Sequence, residues 1–116
     1  MSCLFCNIIE GKHPATIVYE NDRVIAFEDI NPKAPVHILV IHKNHISCIE
    51  DLNENNSSIM SDLFLGVKEV AAILGINKRG YRVIINNGVA GGQIIWHLHI
   101  HVLGGREKMG RMVSES

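Results

Sequence analysis

Between Trp96 and Val102 the chain alternates apolar and imidazole side chains without a break: Trp96-His97-Leu98-His99-Ile100-His101-Val102. Successive side chains of an extended strand point to opposite faces. The run therefore predicts a strand, Ile94 to Leu103, with two unlike faces, ended by Gly104-Gly105. Trp96, Leu98, Ile100 and Val102 face a core, while His97, His99 and His101 line an opposite, open face. A sheet with one apolar face needs a cover. The segment from Asn56 to Leu74 supplies it: Ile59, Leu63, Val67, Val70 and Leu74 recur at spacings of four, four, three and four. That is one helical face, closed by Gly75.

The remaining elements complete an α+β reading. Thr16 to Glu20 and Arg23 to Glu28 are β-rich runs around Asn21-Asp22, a hairpin signal. Pro32 and Pro35 mark a loop, since each fixes φ and lacks an amide donor. Val36 to His42 reads as a third strand and Gly80 to Asn86 as a fourth. Ser2 to Glu10 reads as a short helix or turn, with Ser2 as cap and Gly11 as stop. The expectation is a mostly antiparallel five-stranded sheet with one long helix and a short N-terminal helix, a single domain over residues 1–116. Arg106 to Ser116 carries no usable pattern.

Composition narrows the function classes. Net charge is -1 with no block of like charge, so the chain lacks the basic field that nucleic acid or an anionic membrane would call for. No apolar run approaches the ~20 residues that span a bilayer. At 47% hydrophobic residues the chain can build a core without disulfides. Three cysteines, an odd number, suit a reducing compartment, and the expected location is cytoplasmic.

A solvated strand face would draw Thr, Lys, Glu or Ser rather than three imidazoles. Imidazole titrates near neutral pH, at about 6.5 when unperturbed, so it can serve as nucleophile, base or acid. The preceding loop, Asn86-Asn87-Gly88-Val89-Ala90-Gly91-Gly92-Gln93, can bring backbone amides close to an anion. A simple turn is the alternative for that loop on its own. Ahead of a three-histidine strand, it points to a phosphate.

His97-Leu98-His99-Ile100-His101-Val102-Leu103 matches the His-φ-His-φ-His-φ-φ pattern (φ apolar) of the histidine triad, or HIT, family. The resemblance runs from Phe5 to Arg106. It includes Phe27-Glu28-Asp29-Ile30, Asn31 to His37, Lys43-Asn44-His45 and Gly91-Gly92-Gln93, and the closing His-Val-Leu-Gly-Gly-Arg looks most like the Hint branch of nucleoside phosphoramidases. It implies a HIT-like fold and a hydrolase acting on purine nucleoside 5′-phosphoramidates. It implies His99 as the nucleophile that forms a nucleotidyl-histidine intermediate, with His101 on the phosphate oxygens and leaving group and His37 as a further site histidine. It also implies Asp29 on the ribose, Phe5, Phe27 and Ile30 around the base, and Asn86, Gly92 and Gln93 beside the phosphate. For Phe5, Phe27 and Ile30, plain core packing is the alternative. The implied partners are a purine nucleotide such as AMP or GMP and a second copy of the chain, a homodimer. Diadenosine polyphosphate hydrolysis of the Fhit kind, or a nucleotide-binding scaffold with vestigial turnover, are the competing readings. The latter draws on Ile94, which stands where Hint-branch members usually place a Ser or Thr hydroxyl.

Cys3-x-x-Cys6 has a chelating spacing, but zinc prefers four ligands. The resemblance implies His45 and His97 as the other two, making a structural zinc site expected to lie remote from the reacting phosphate. His42 is a fallback ligand, otherwise exposed at a strand end. His13 is expected to face solvent and Cys48 to be a packed thiol. One catalytic metal on all three triad histidines is the last reading, and it lacks a neighbouring carboxylate set.

Overall fold

The computed structural model describes residues 3–112. Five strands form one antiparallel sheet in the order β1-β2-β3-β5-β4, built from β1 (Ile17–Glu20), β2 (Val24–Glu28), β3 (Val36–His42), β4 (Arg82–Ile84) and β5 (His99–Gly104). Asn21 turns the β1–β2 hairpin. Its Oδ1 accepts from the Arg23 and Val24 amides at 2.8 Å each, which a backbone turn alone would leave to water.

The long helix α2 (Ser58–Ile73) lies on one face. Its Ile59, Leu63, Val67 and Val70 pack against Val24, Ala26, Ile38, Val40, Ile100 and Val102. Gly66 lets the helix come close, since a Cβ there would meet Val24 Cγ2 at 3.1 Å and Val40 Cγ1 at 3.2 Å. The period-2 alternation of β2 and β3 places Ile25, Phe27, Leu39 and Ile41 on the other face. There they pack with Phe5 and Ile8 of the short helix α1 (Leu4–Ile9). A six-residue helix is too short to hold itself in water, so α1 depends on these contacts.

Five expectations change. The triad-bearing strand begins at His99, five residues later than Ile94. Before it the chain is tied to a different partner: the Leu98 amide donates to the Ile46 carbonyl at 2.7 Å. Leu98 still reaches the α2 core, but Trp96 falls outside the strand and is 44% exposed. The histidine face is not open, because α1 covers part of it and His97 and His99 are buried. The fourth strand spans only three residues, Arg82–Ile84. The first helix is capped by Cys3, whose Sγ accepts from the Cys6 amide at 3.5 Å. Ser2, the expected cap, lies outside the described residues, as do 113–116 of the patternless tail. Among the described residues no helix is long and apolar enough to cross a membrane.

Candidate active site and metal centre

Register brings the site histidines together. In the β3–β5 ladder Leu39 faces His101, Ile41 faces His99 and His37 faces Leu103. His37, His99 and His101 thus point to the α1 side of the sheet. His99 is 7% exposed. Its Nδ1–H donates to the His97 carbonyl at 2.8 Å, which leaves the Nε2 lone pair free. Burial lowers its pKa, and the His97 hydrogen bond and Asp29 only partly counter this. A neutral ring with one free nitrogen lone pair is what nucleophilic attack requires.

The neighbouring imidazoles form an ordered chain of donors. The Lys33 amide donates to His37 Nδ1 at 3.0 Å, which fixes the His37 proton on Nε2. That Nε2–H lies 3.0 Å from His101 Nδ1 and 3.4 Å from Asp29 Oδ2. With Nδ1 accepting, His101 carries its proton on Nε2, a buried atom that has no protein partner among the described residues. An unpartnered buried donor is uncommon and points to a ligand or solvent acceptor. The His99 and His101 rings lie 5.0 Å apart. Burial, then the like charges of His99 and His37, push His101 down to about 4. His37 is lowered as well, by burial first and by Lys33, against the pull of Asp29. Asp29 is held at its station by its own amide, which donates to the His37 carbonyl at 2.9 Å, and by Oδ1, which accepts from the Asn31 amide at 2.8 Å.

A second cluster joins α1 to the segment before β5. Cys3, Cys6, His45 and His97 offer ligand atoms that all lie within 4.8 Å of one another. The His97 Nδ1 is 3.5 Å from Cys3 Sγ, 3.6 Å from Cys6 Sγ and 3.1 Å from His45 Nδ1, and Cys6 Sγ to His45 Nδ1 is 3.4 Å. Bond lengths to zinc of ~2.3 Å for sulfur and ~2.0 Å for nitrogen, at tetrahedral angles, put S···N edges at about 3.5 Å and the N···N edge at about 3.3 Å. The donor set fits one such ion. The His97 Nε2–H donates to the His42 carbonyl at 2.9 Å, so its lone pair is on Nδ1, inside the cluster. Burial pushes His97 down to about 4, which keeps it neutral and ligand-ready. Burial and then Cys3 push the Cys6 thiol up to about 11, a penalty that a divalent cation between the sulfurs reverses. This cluster adjoins the His99 ring. The same His97 that enters it holds the His99 proton through its carbonyl. Asp29, His37 and His101 also converge within 4.8 Å, but there the shared His37 nitrogen carries a proton, which suits a relay rather than a cation.

Residues 10–108 match the HIT domain family. The chain belongs to the HIT family. An uncharacterized HIT-like protein of Buchnera aphidicola is 50% identical over 104 residues, covering 90% of this chain and 91% of its own length. A solved HIT family hydrolase from Clostridium thermocellum has 49% identity and a TM-score of 0.91, with 96% of each chain covered. A solved histidine triad protein from Clostridium difficile has 42% identity and the same TM-score, again with 96% of each chain covered. This HIT protein therefore has the fold of the family's hydrolases.

Other site candidates are placed less simply in this HIT protein. Phe5 and Phe27 are buried and meet edge-on at 5.4 Å, so both contribute to the core beneath the site. Ile30 is 91% exposed. The Gln93 amide is occupied by backbone. Its Oε1 accepts from the Gly88 amide at 2.9 Å, and its Nε2 donates to the carbonyls of Ser47 at 2.7 Å and Ile95 at 3.1 Å. Gln93 thus shapes the glycine loop. Gly92 makes its turn at φ 88°, next to the half-buried Asn86, and Gly91 admits no Cβ, which would fall 2.3 Å from the Asn87 oxygen. Asn87, which no motif singles out, ties this loop to residues 49–51: its Oδ1 accepts from the Ile49 amide at 2.7 Å and its Nδ2 donates to Glu50. Ile94 is 83% exposed at the loop's exit. His13 faces solvent as expected. His42, expected at an exposed strand end, is buried. Its Nδ1 accepts from the Asn44 amide at 3.0 Å and its Nε2–H donates to Asp62 of α2 at 2.9 Å, so it is no fallback metal ligand.

Proposed function

We propose that this HIT protein is a Hint-branch hydrolase of purine nucleoside 5′-phosphoramidates, or of related nucleotidyl P–N and P–O bonds. The observation that carries this reading is the pairing of a free His99 Nε2 lone pair with an unpartnered His101 Nε2–H beside it. His99 Nε2 attacks the α-phosphorus, and the P–N bond breaks. The departing amine takes its proton from solvent while the His101 Nε2–H hydrogen-bonds the phosphate oxygen, and the positive charge left on the His99 ring is supported by the His97 carbonyl. Water then attacks the nucleotidyl-histidine, the P–N bond to His99 breaks, the proton of the attacking water passes to solvent, and the nucleoside monophosphate leaves. The net reaction adds one water across the P–N bond. Splitting one displacement into two lowers each barrier. Asp29, already oriented by Asn31 and His37, is placed in this reading on the ribose of AMP or GMP.

The test is turnover of adenosine 5′-phosphoramidate beside diadenosine polyphosphate, with His99→Gly as control. We expect P–N cleavage in the wild type and a loss of about a thousandfold or more in the variant. Cleavage of the polyphosphate alone moves the substrate class to P–O bonds. Nucleotide binding with no turnover of either favours the scaffold reading, which the exposed Ile94, unable to donate a hydrogen bond, supports.

The same reading assigns Cys3, Cys6, His45 and His97 to one structural zinc ion, supported by the edge lengths above. Metal analysis of protein purified without chelator should give about one zinc per chain, lost in Cys3→Ala and Cys6→Ala. A homodimer is supported by the apolar residues Phe64, Leu65 and Ile73 left exposed on α2, and by β4 at the sheet edge. Sedimentation at micromolar concentration tests it. Cys3, Cys6 and Cys48 form no disulfide, which suits a cytoplasmic setting.

A further inference from the structure

We propose that Phe5 is a positioning residue, which together with the His97 carbonyl makes the thiol–imidazole cluster control the orientation of the His99 nucleophile. The inference rests on His99 being the nucleophile, and it adds a role for the cluster beyond holding α1 to the sheet.

Two restraints act on the His99 ring, and both originate in the cluster. The first is its Nδ1–H to the His97 carbonyl, at 2.8 Å. His97 is itself fixed on both ring nitrogens, with Nε2–H on the His42 carbonyl and Nδ1 among the sulfurs. The second is Phe5, which stands perpendicular to the His99 ring at 5.1 Å and also touches His97 at 6.0 Å and Phe27 at 5.4 Å. Phe5 sits between Cys3 and Cys6 in sequence, on a helix of six residues. Such a helix has almost no stability of its own, so what fixes its two cysteines fixes Phe5. A cation on Cys3, Cys6, His45 and His97 draws α1 and the His97 backbone to one point, and the nucleophile lies against both. Without it, the sulfurs and the two facing Nδ1 atoms have no common partner. The α1 helix can then shift, and the His99 ring gains freedom to turn or to exchange its proton between nitrogens. Reaction rates respond steeply to such misplacement, by about a hundredfold for an ångström.

The experiment compares zinc-loaded protein, protein stripped by chelator and then retitrated with Zn²⁺ alone, and Phe5→Leu, which keeps an apolar side chain and all four ligands. Nitrogen NMR of ¹⁵N-histidine protein, at a pH where the rings are neutral, reads the His99 tautomer. Single-turnover kinetics with adenosine 5′-phosphoramidate read the nucleotidylation step. We expect one Nδ1–H tautomer for His99 in the loaded protein. Stripping zinc or substituting Phe5 should give a mixture of tautomers, nucleotidylation slowed by about tenfold or more, and KM changed less than about twofold. Retitration should restore the stripped protein and leave Phe5→Leu impaired. A His99 signal and nucleotidylation rate unchanged on stripping would overturn the proposal, as would a cluster that takes up no Zn²⁺. If Phe5→Leu does not fold, the strip-and-retitrate arm on the wild type decides alone. If the wild type cleaves neither phosphoramidate nor diadenosine polyphosphate, the hydrolase reading fails, and the tautomer measurement still tests the coupling.

Discussion

Acidification should unfold this protein over a window set by its buried histidines, and His101 offers the cleanest way to measure it. Its pKa falls from 6.5 to about 4 in the folded chain, through burial first and then through His99 and His37. Below about pH 6.5 the unfolded chain takes up a proton that the folded chain refuses, so stability falls with falling pH. The contribution is fully present above 6.5, declines between 6.5 and about 4, and is gone below. A difference of 2.5 between the two values corresponds to at most ~3.4 kcal/mol at ~1.36 kcal/mol per unit. Because the ring is only partly buried, solvent screening reduces this to roughly 1–3 kcal/mol. His101→Gln removes the titration while keeping an oxygen to accept from His37 Nε2–H. Urea unfolding of both proteins at about pH 7, 5.5 and 4.5 gives the two slopes. The wild type should lose roughly 1–3 kcal/mol more than the variant across that range. Equal slopes would refute the claim that His101 is held neutral by burial, and with it the hydrogen-bond donor role assigned to its Nε2–H.

Three further outcomes are expected. Asp62→Ala strands the buried His42 Nε2–H and removes the Arg23 contact, and should cost about 1–3 kcal/mol in urea unfolding. Gly91→Ala drives a Cβ to 2.3 Å from the Asn87 oxygen, so the glycine loop must rearrange; kcat/KM for the phosphoramidate should drop at least about tenfold, as the phosphate contacts shift. Asp29→Ala should weaken AMP binding by about tenfold by calorimetry, and unchanged affinity would remove Asp29 from the ribose.

How far the sequence speaks depends on the range of the interaction involved. The α2 helix was legible because Ile59, Leu63, Val67 and Val70 record a local period, and the same residues form its buried face. Alternation from Leu98 to Val102 was legible for the same reason. The start of β5 was not, because alternation says nothing about a partner, and the Leu98 amide is claimed by Ile46, 52 positions away. His42 misled for a related reason. Its fate is decided by Asp62, on a helix twenty residues further on. Gln93 lies in a motif that reads as phosphate-facing, yet three backbone groups occupy its amide. Phe5 and Phe27 could be core or wall by sequence, and only the fold of α1 onto the sheet shows them buried.

Proton placement distinguishes three otherwise identical side chains. His97 has its proton on Nε2, given to His42; His99 has its proton on Nδ1, given to His97; His101 accepts on Nδ1 from His37 and so carries Nε2–H. Each choice is imposed by a neighbour at 3.0 Å or less, and the three leave different groups unclaimed by those bonds: the Nδ1 lone pair of His97, the Nε2 lone pair of His99 and the Nε2–H of His101. Moving the His99 proton to Nε2 would break its only assigned hydrogen bond among the described residues and leave the buried His97 carbonyl short of that donor. An unsatisfied buried group costs about 1–3 kcal/mol, which holds the wrong tautomer down by roughly 5- to 150-fold. The free Nε2 lone pair is therefore a property of the fold, present before any substrate arrives. The His97 carbonyl holds the Nδ1 proton of His99 while the His97 Nδ1 lies among Cys3, Cys6 and His45, so one residue joins the two side-chain clusters.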